Sequence, residues 1–247
     1  MAFFISSENI SGKEIRFPAD DSRHLALVLR VKDGDVLTVC DDASNKHECR
    51  VTDIRKDCVK AEILSTVHYS NQPTASVTVY AALSKGDRFD YTIQKCVECG
   101  AAAIVPFISE RCIARPAENE YAKKIARFQK IADEAARQSG RSQKVPVGAI
   151  LKYDDALKSA VLHKTPLFLY ENEDMRSLSA CLSSSDKTDY AIITGPEGGF
   201  SEKEVFSAKD LGIPVVSIGP RILRCETAPV AALCSIMFYT GNFDIGE

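Results

Sequence analysis

The chain has 247 residues, 45% of them apolar and 26% charged, with 31 Lys and Arg against 34 Asp and Glu for a formal net charge of −3. That composition excludes an intrinsically disordered chain, and no apolar run approaches the roughly 20 residues of a membrane helix. A mildly acidic total also argues against a nucleic-acid partner until the charge is placed along the chain. The opening MAFFISSENI lacks the basic start and long apolar stretch of a secretory signal. Nine cysteines, an odd number, fit a reducing cytosol better than a disulfide framework, so a cytoplasmic location is expected.

Residues 1–70 read as mostly β. EIRFP (14–18) is a short strand, and Asp20-Asp21-Ser22 caps a short helix whose Leu25, Val28 and Leu29 fall at helical spacing. DVLTVCD, KHECRVTDI and CVKAEIL follow as strands, which together suggest a small barrel. The uncharged TVHYSNQPTAS (66–76) marks a linker, placed at 71–76. The pattern then changes to alternating strands and helices over 77–247. VTVYAALS, AAAIVPFIS, PLFLY, YAIIT and PVVSIG are strands; GDRFDYTIQKCVECG, ENEYAKKIARFQKIADEAARQSG, YDDALKSAV, MRSLSACL and ETAPVAALCSIMFY are helices. This alternation implies a mainly parallel sheet covered on both faces.

Two loops stand out. Thr194-Gly195-Pro196-Glu197-Gly198-Gly199 follows the strand YAIIT, and its glycines permit a tight turn and close approach to a ligand. Ser201 and Glu204 then form a capping box for the next helix. The second loop, Ile218-Gly219-Pro220-Arg221-Ile222-Leu223-Arg224-Cys225-Glu226-Thr227-Ala228, follows PVVSIG and opens the last helix. Both lie at the carboxyl ends of parallel strands, where open α/β sheets bind ligands. Neither is a dinucleotide or P-loop signature. The lone Cys96-x-x-Cys99 has no second pair at zinc spacing, and the four histidines do not cluster, so no metal site is expected.

The charge is uneven. Residues 1–70 hold 10 basic and 12 acidic side chains, 81–145 hold 12 and 8, and 146–247 hold 9 and 14. In the basic middle, Lys123, Arg127, Lys130, Arg137 and Arg141 recur near one face of the long helix, with Lys85, Arg88, Lys95 and Arg111 nearby. A solvated face explains such a stripe equally well, but the local excess favours a phosphate-binding footprint.

With these residues in view, the sequence resembles the RsmE family of ribosomal RNA methyltransferases, within the SPOUT superfamily. The resemblance runs through H-L-A-L-V-L-R-V-K-D-G-D (24–35), K-G-D-R (85–88), I-Q-K-C-V-E-C-G (93–100), S-E-R (109–111), A-R-Q-S-G-R (136–141), G-P-E-G-G-F-S (195–201) and G-P-R-I-L-R-C-E-T-A (219–228). Cys225, Cys96 and Cys99 depart from the family pattern.

The resemblance implies an α/β fold: a PUA-like RNA-binding β-barrel over 1–70 and a SPOUT domain with a C-terminal trefoil knot over 77–247. It implies S-adenosylmethionine as cofactor, held by Leu169, Tyr170, Glu171, Thr194, Gly195, Pro196, Glu197, Gly198, Gly199, Ile218, Gly219, Leu223, Arg224, Thr227 and Ala228. It implies methylation of N3 of a uridine in 16S ribosomal RNA within the small subunit, by a cytoplasmic homodimer without metal or membrane attachment. Arg221 and Arg224 are then expected to stabilise the developing anion, with Glu226 or Glu197 taking the proton. Arg23, Arg30, Lys85, Arg88, Arg111, Arg127, Lys130, Arg137 and Arg141 are expected on the RNA. A SPOUT enzyme acting on ribose or transfer RNA, and a non-catalytic RNA-binding or ribosome-assembly factor, remain alternatives.

Overall fold

The computed structural model describes residues 2–69, 71–171, 176–184 and 188–244. Two units divide the chain: residues 1–72 with 136–144, and residues 73–135 with 145–247.

The first unit is built on a curled six-stranded sheet. Its strands are β1 (Ala2–Ile5), β2 (Ile10–Ser11), β3 (Glu14–Arg16), β4 (Val36–Asp41), β5 (Asn45–Arg55) and β6 (Cys58–His68), ordered β1-β4-β5-β6-β3-β2. Only β1–β4 is parallel. Along β5 His47, Cys49 and Val51 point inward while Glu48, Arg50 and Thr52 face out, the period-2 pattern of a half-buried strand. The β5–β6 register shifts at Glu48/Cys49 and at Val51/Asp53, and such irregularities increase strand twist. Phe3, Ile15, Leu25, Val39, Val51 and Val59 belong to the core this encloses.

The short helix here differs from the sequence expectation. Pro18 opens α1 (Ala19–Arg23), so Asp20 and Asp21 lie in its first turn rather than capping it. Ser22 is buried, donating to the Phe17 carbonyl (3.0 Å) and accepting the Val59 N–H (2.9 Å). The chain then widens into a π turn, His24–Leu29, closed by Arg30 in the left-handed region at φ 53°. The wider turn breaks the 3.6-residue spacing: only Leu25 reaches the core, and Val28 and Leu29 stay exposed.

Residues 136–144 cluster with this unit although they follow the expected barrel by more than 60 positions. Asn71 ties them in, donating to the Gly140 carbonyl and accepting the Ser142 N–H (both 2.8 Å), and Arg137 pairs with Asp21 at 3.0 Å.

The second unit holds an all-parallel sheet. Its strands are β7 (Ser76–Ala82), β8 (Ala103–Ile108), β9 (Leu151–Lys152), β10 (Thr165–Leu169), β11 (Asp189–Thr194) and β12 (Val215–Val216), ordered β12-β10-β11-β7-β8-β9. Every pairing is parallel, with Phe168 opposite Ile193 and Ile193 opposite Tyr80. Val77 to Ala82 are all buried, as a central strand covered on both faces requires. The helices are α2 (Arg88–Glu98), α3 (Tyr121–Gln138), α4 (Tyr153–Ala160), α5 (Leu178–Ser183), α6 (Glu202–Asp210) and α7 (Thr227–Tyr239). Phe89 of α2 packs on Phe128 of α3 with ring centroids 4.8 Å apart.

PVVSIG contributes only two residues to the sheet, because Ser217 turns to pair with Arg176 and Leu178 through backbone hydrogen bonds of 2.9 Å. Of the helix expected at MRSLSACL, Met175 lies outside the described residues, and α5 begins at Leu178 under a Ser177 cap. The chain runs outward from β7 through β8 to β9, then crosses to the other side as β10, with β11 next filling the place between β10 and β7 and β12 adding beyond β10. The reversal creates a switch point beside β7, at whose carboxyl end a crevice opens.

Candidate active site

Three strand ends meet at that crevice around a cavity of about 420 Å³. The end of β10 supplies Leu169, Tyr170 and Glu171; the end of β11 supplies Thr194, Gly195, Pro196, Glu197 and Gly199. Beyond β12, Ile218, Gly219, Arg221, Leu223, Arg224, Glu226 and Ala228 complete the wall. Gly198 and Thr227, expected among them, lie outside this lining. Gly198 instead packs on Arg111, whose Nη1 donates to the Gly198 carbonyl at 3.0 Å, and Thr227 lines a neighbouring cavity.

Backbone freedom decides the shape of the first loop. Gly199 has φ +64°, and a Cβ there would stand 2.4 Å from Glu171 Oε1. A Cβ on Gly195 would press to 3.1 Å from the Phe200 ring, which is itself packed 4.2 Å from Phe168. The loop is braced at its far end by the capping box: Glu204 Oε2 accepts the Ser201 N–H at 2.9 Å. Ser201 also donates to Glu110 Oε2 at 2.8 Å, and Glu204 Oε1 accepts the Glu110 N–H at 2.8 Å. The S-E-R segment is thus a brace for the Gly-rich loop, a role sequence spacing does not reveal.

Glu197 is the electrostatic centre. Its Oε1 accepts the Lys85 N–H (2.7 Å) and Arg88 Nη1 (2.9 Å), while its buried Oε2 has no protein partner among the described residues. Burial raises its carboxyl, but backbone N–H groups of Lys85 and Glu197 and the Arg88 guanidinium outweigh it and hold it below the usual range. A committed anion engaged in this way is a ligand for cations and hydroxyls and a poor proton acceptor. Cys225 donates to Glu226 Oε2 at 3.2 Å. Burial, and then the Glu226 carboxylate, push that thiol up to about 12, so it stays protonated.

A wider cavity of about 780 Å³ adjoins the first and is lined by Lys85, Arg88, Tyr91 and Thr227 among others. Arg88, Arg224 and Glu226 line both cavities, whereas Arg221 lines only the first. Two binding spaces with one shared cationic and acidic wall suit a transfer between two ligands.

Residues 70–237 match a family model described as an RNA methyltransferase domain, and residues 17–64 match one described as an RNA methyltransferase PUA domain. The chain is 30% identical over 237 residues to ribosomal RNA small subunit methyltransferase E of Bacillus subtilis, covering 94% of this chain and 90% of that protein. It belongs to the small-subunit ribosomal RNA methyltransferase E family. The Synechocystis protein of that name is 32% identical over 234 residues, covering 94% of this chain and 75% of that protein. A crystal structure of the Neisseria gonorrhoeae family member bound to S-adenosyl methionine superposes with a TM-score of 0.84 at 36% identity, covering 96% of each chain.

The family resemblance seen in the sequence is therefore correct, and the residues expected on RNA differ in how free the fold leaves them. Arg141 is 6% exposed; burial lowers its guanidinium to about 10, which leaves it charged at neutral pH but shielded from a phosphate. Arg137 is largely buried against Asp21. Arg127 is exposed yet held by Asp90 through two bonds of 2.7 Å, and Arg23 is paired with Asp20 and Asp57. Arg111 spends a guanidinium nitrogen on the Gly198 carbonyl. Arg30, Lys85, Lys123 and Lys130 are exposed. Arg88, expected on RNA, lines both cavities and pairs with Glu197. Ile222 and Cys225 of the second loop line the first cavity too, as does Ser217, which the sequence does not mark. Among the described residues no His, Cys, Asp and Glu side chains group to hold a metal.

Proposed function

We propose that this chain methylates N3 of a specific uridine in 16S ribosomal RNA, using S-adenosylmethionine. The observation that carries the reading is the pair of adjoining cavities sharing Arg88, Arg224 and Glu226 at the carboxyl ends of β10, β11 and β12.

The residues present fit the cofactor. The unpartnered Glu197 Oε2 offers lone pairs to a cationic or hydroxyl-bearing ligand, and the side-chain-free Gly195 and Gly199 leave backbone open to close approach. Glu171, Leu169 and Leu223 would close round it. Bound there, S-adenosylmethionine supplies a methyl group on a cationic sulfur. Holding two reactants in register contributes roughly 7–11 kcal/mol of barrier reduction in favourable systems.

The protein's own task is the acceptor. Uracil N3 must lose its proton, which builds negative charge on O2 and O4. Arg224, on the shared wall, is positioned to offset that charge. Arg221, on the first cavity alone, is assigned to the cofactor side. Glu226 accepts the proton, since Glu197 is already committed to Lys85 and Arg88. The Cys225 thiol, kept neutral, orients the Glu226 carboxylate.

The proposal includes 1–70 as a PUA-like domain that grips RNA, a threaded C-terminal segment over the site, and a homodimer. Phe238 on α7 and Ile222 in the adjacent loop are both exposed, which supports association of two copies. Mass spectrometry of 16S ribosomal RNA from a strain lacking the gene should show loss of 3-methyluridine, restored by the gene. Retention of the full 3-methyluridine signal overturns the assignment.

A further inference from the structure

The wider cavity exposes an aromatic ring on its wall. Tyr91 is the only aromatic residue in its lining, and its side chain is 47% exposed. It lies on the outward side of α2, whose Phe89, Ile93, Cys96 and Val97 are buried, so packing does not require an aromatic ring there. One turn on, Lys95 Nζ stands 5.9 Å from the ring centroid and is itself fixed by Glu98 at 2.8 and 3.0 Å. The ammonium is drawn over one face of the ring by its quadrupole. At the start of the same helix are the exposed side chains of Lys85 and Arg88. The cavity thus combines an aromatic face, two cationic side chains, and the Arg224 and Glu226 wall shared with the cofactor site.

We propose that this cavity receives the nucleotide to be methylated, splayed out of its stack, with its pyrimidine stacked on Tyr91 and its phosphate met by Lys85. The inference rests on the methyltransferase reading above. A stacked RNA gives no side chain access to uracil N3, which is paired or covered in a helix, so the base must leave its stack and needs a replacement face. Tyr91 is the only ring in this lining that can supply one. The 780 Å³ volume falls within the roughly 300–1,000 Å³ of small-molecule sites, ample for a nucleotide. A base laid on Tyr91 has Arg224 and Glu226 along its cavity wall, where the cofactor cavity opens.

The test uses the full-length protein, small ribosomal subunits from a strain lacking the gene, and calorimetry with S-adenosylmethionine. Loss of a base stack corresponds to about 5- to 150-fold weaker binding, so Tyr91→Ala should raise KM for subunits by a factor in that range. Cofactor affinity should be unchanged, and Tyr91→Phe, which keeps the ring, should behave as the parent. An unmodified Tyr91 protein that fails to methylate subunits overturns the methyltransferase reading itself. An active parent with an equally active Tyr91→Ala variant overturns only the nucleotide site. Tyr91→Phe as impaired as Tyr91→Ala also overturns it, because the hydroxyl and not the ring face is then at work.

Discussion

Replacing Gly199 by alanine separates the two demands placed on the Gly-rich loop. The backbone at φ +64° is left-handed, so any side chain costs roughly 1–2 kcal/mol there. The new methyl also arrives 2.4 Å from Glu171 Oε1 and 3.3 Å from its Cδ, well inside contact distance. Glu171 is exposed and its carboxylate is the far end of a flexible side chain, so it swings away and the loop stays in place. The stability loss is therefore confined to the backbone term, and Tm should fall by about 2–8 °C. Cofactor binding should suffer more. A displaced carboxylate loses a charge-assisted hydrogen bond of about 1.5–3 kcal/mol, or roughly 10- to 150-fold in Kd. Calorimetry with S-adenosylmethionine and thermal unfolding measure the two separately. Gly212→Ala is the control, with φ +75° and open space round its Cβ beyond α6; it should lower Tm similarly and leave Kd alone. Glu171→Ala should weaken binding without the loss of Tm. Parent-like cofactor affinity in both Gly199→Ala and Glu171→Ala would refute the reasoning.

Glu197→Gln should destabilise the protein by about 1 kcal/mol, below the roughly 1.5–3 kcal/mol of a hydrogen bond to charge because Arg88 is half exposed. The folded carboxyl is held below its ordinary 4.5, so its contribution is full above that pH and fades as pH falls through the folded value. The difference between parent and variant in urea unfolding should accordingly shrink on acidification. Arg224→Ala should lower the methyl-transfer rate by about 100-fold or more while still binding cofactor, as removal of an anion-stabilising donor does; a normal rate removes Arg224 from the chemistry. Neutralising exposed Lys123 and Lys130 together should reduce the salt slope of RNA binding by about 1.4–1.8, whereas Arg141→Met should leave it unchanged because that guanidinium is buried.

Much of the fold is legible because parallel sheets write themselves plainly into sequence. A run such as 77–82, buried on both faces, is apolar but for Thr78. What escapes the sequence is set by side chains acting across long separations. The π turn at His24–Leu29 follows a helix fastened to β6 by a single buried hydroxyl, Ser22, so a helical spacing of apolar residues points the wrong way. Residues 136–144 leave the unit their neighbours belong to because Asn71 meets their backbone from about 70 positions away. Nothing in the periodicity of either segment records that contact.

At the site the same division holds. Loops rich in glycine after parallel strands are visible, and the sheet brings their ends together without further instruction. Charge is harder to read, since a count along the chain adds side chains that the fold cancels. Arg127 is tied to Asp90 and Arg137 to Asp21, and the latter pair joins the basic middle to the acidic start of the sequence. The five-residue stripe thereby loses two members to ion pairs, and burial removes Arg141, which lies beyond the end of α3. Arg88 moves the other way. Its pairing with Glu197, 109 positions distant, fixes it on the wall where the two cavities meet. A count of positive charge along a sequence therefore does not show which side chains are free for an anion; the pairing within the fold decides that. Here it gathers Lys85, Arg88 and Arg224 round the cavity that also holds Tyr91, the arrangement on which the proposed nucleotide site rests.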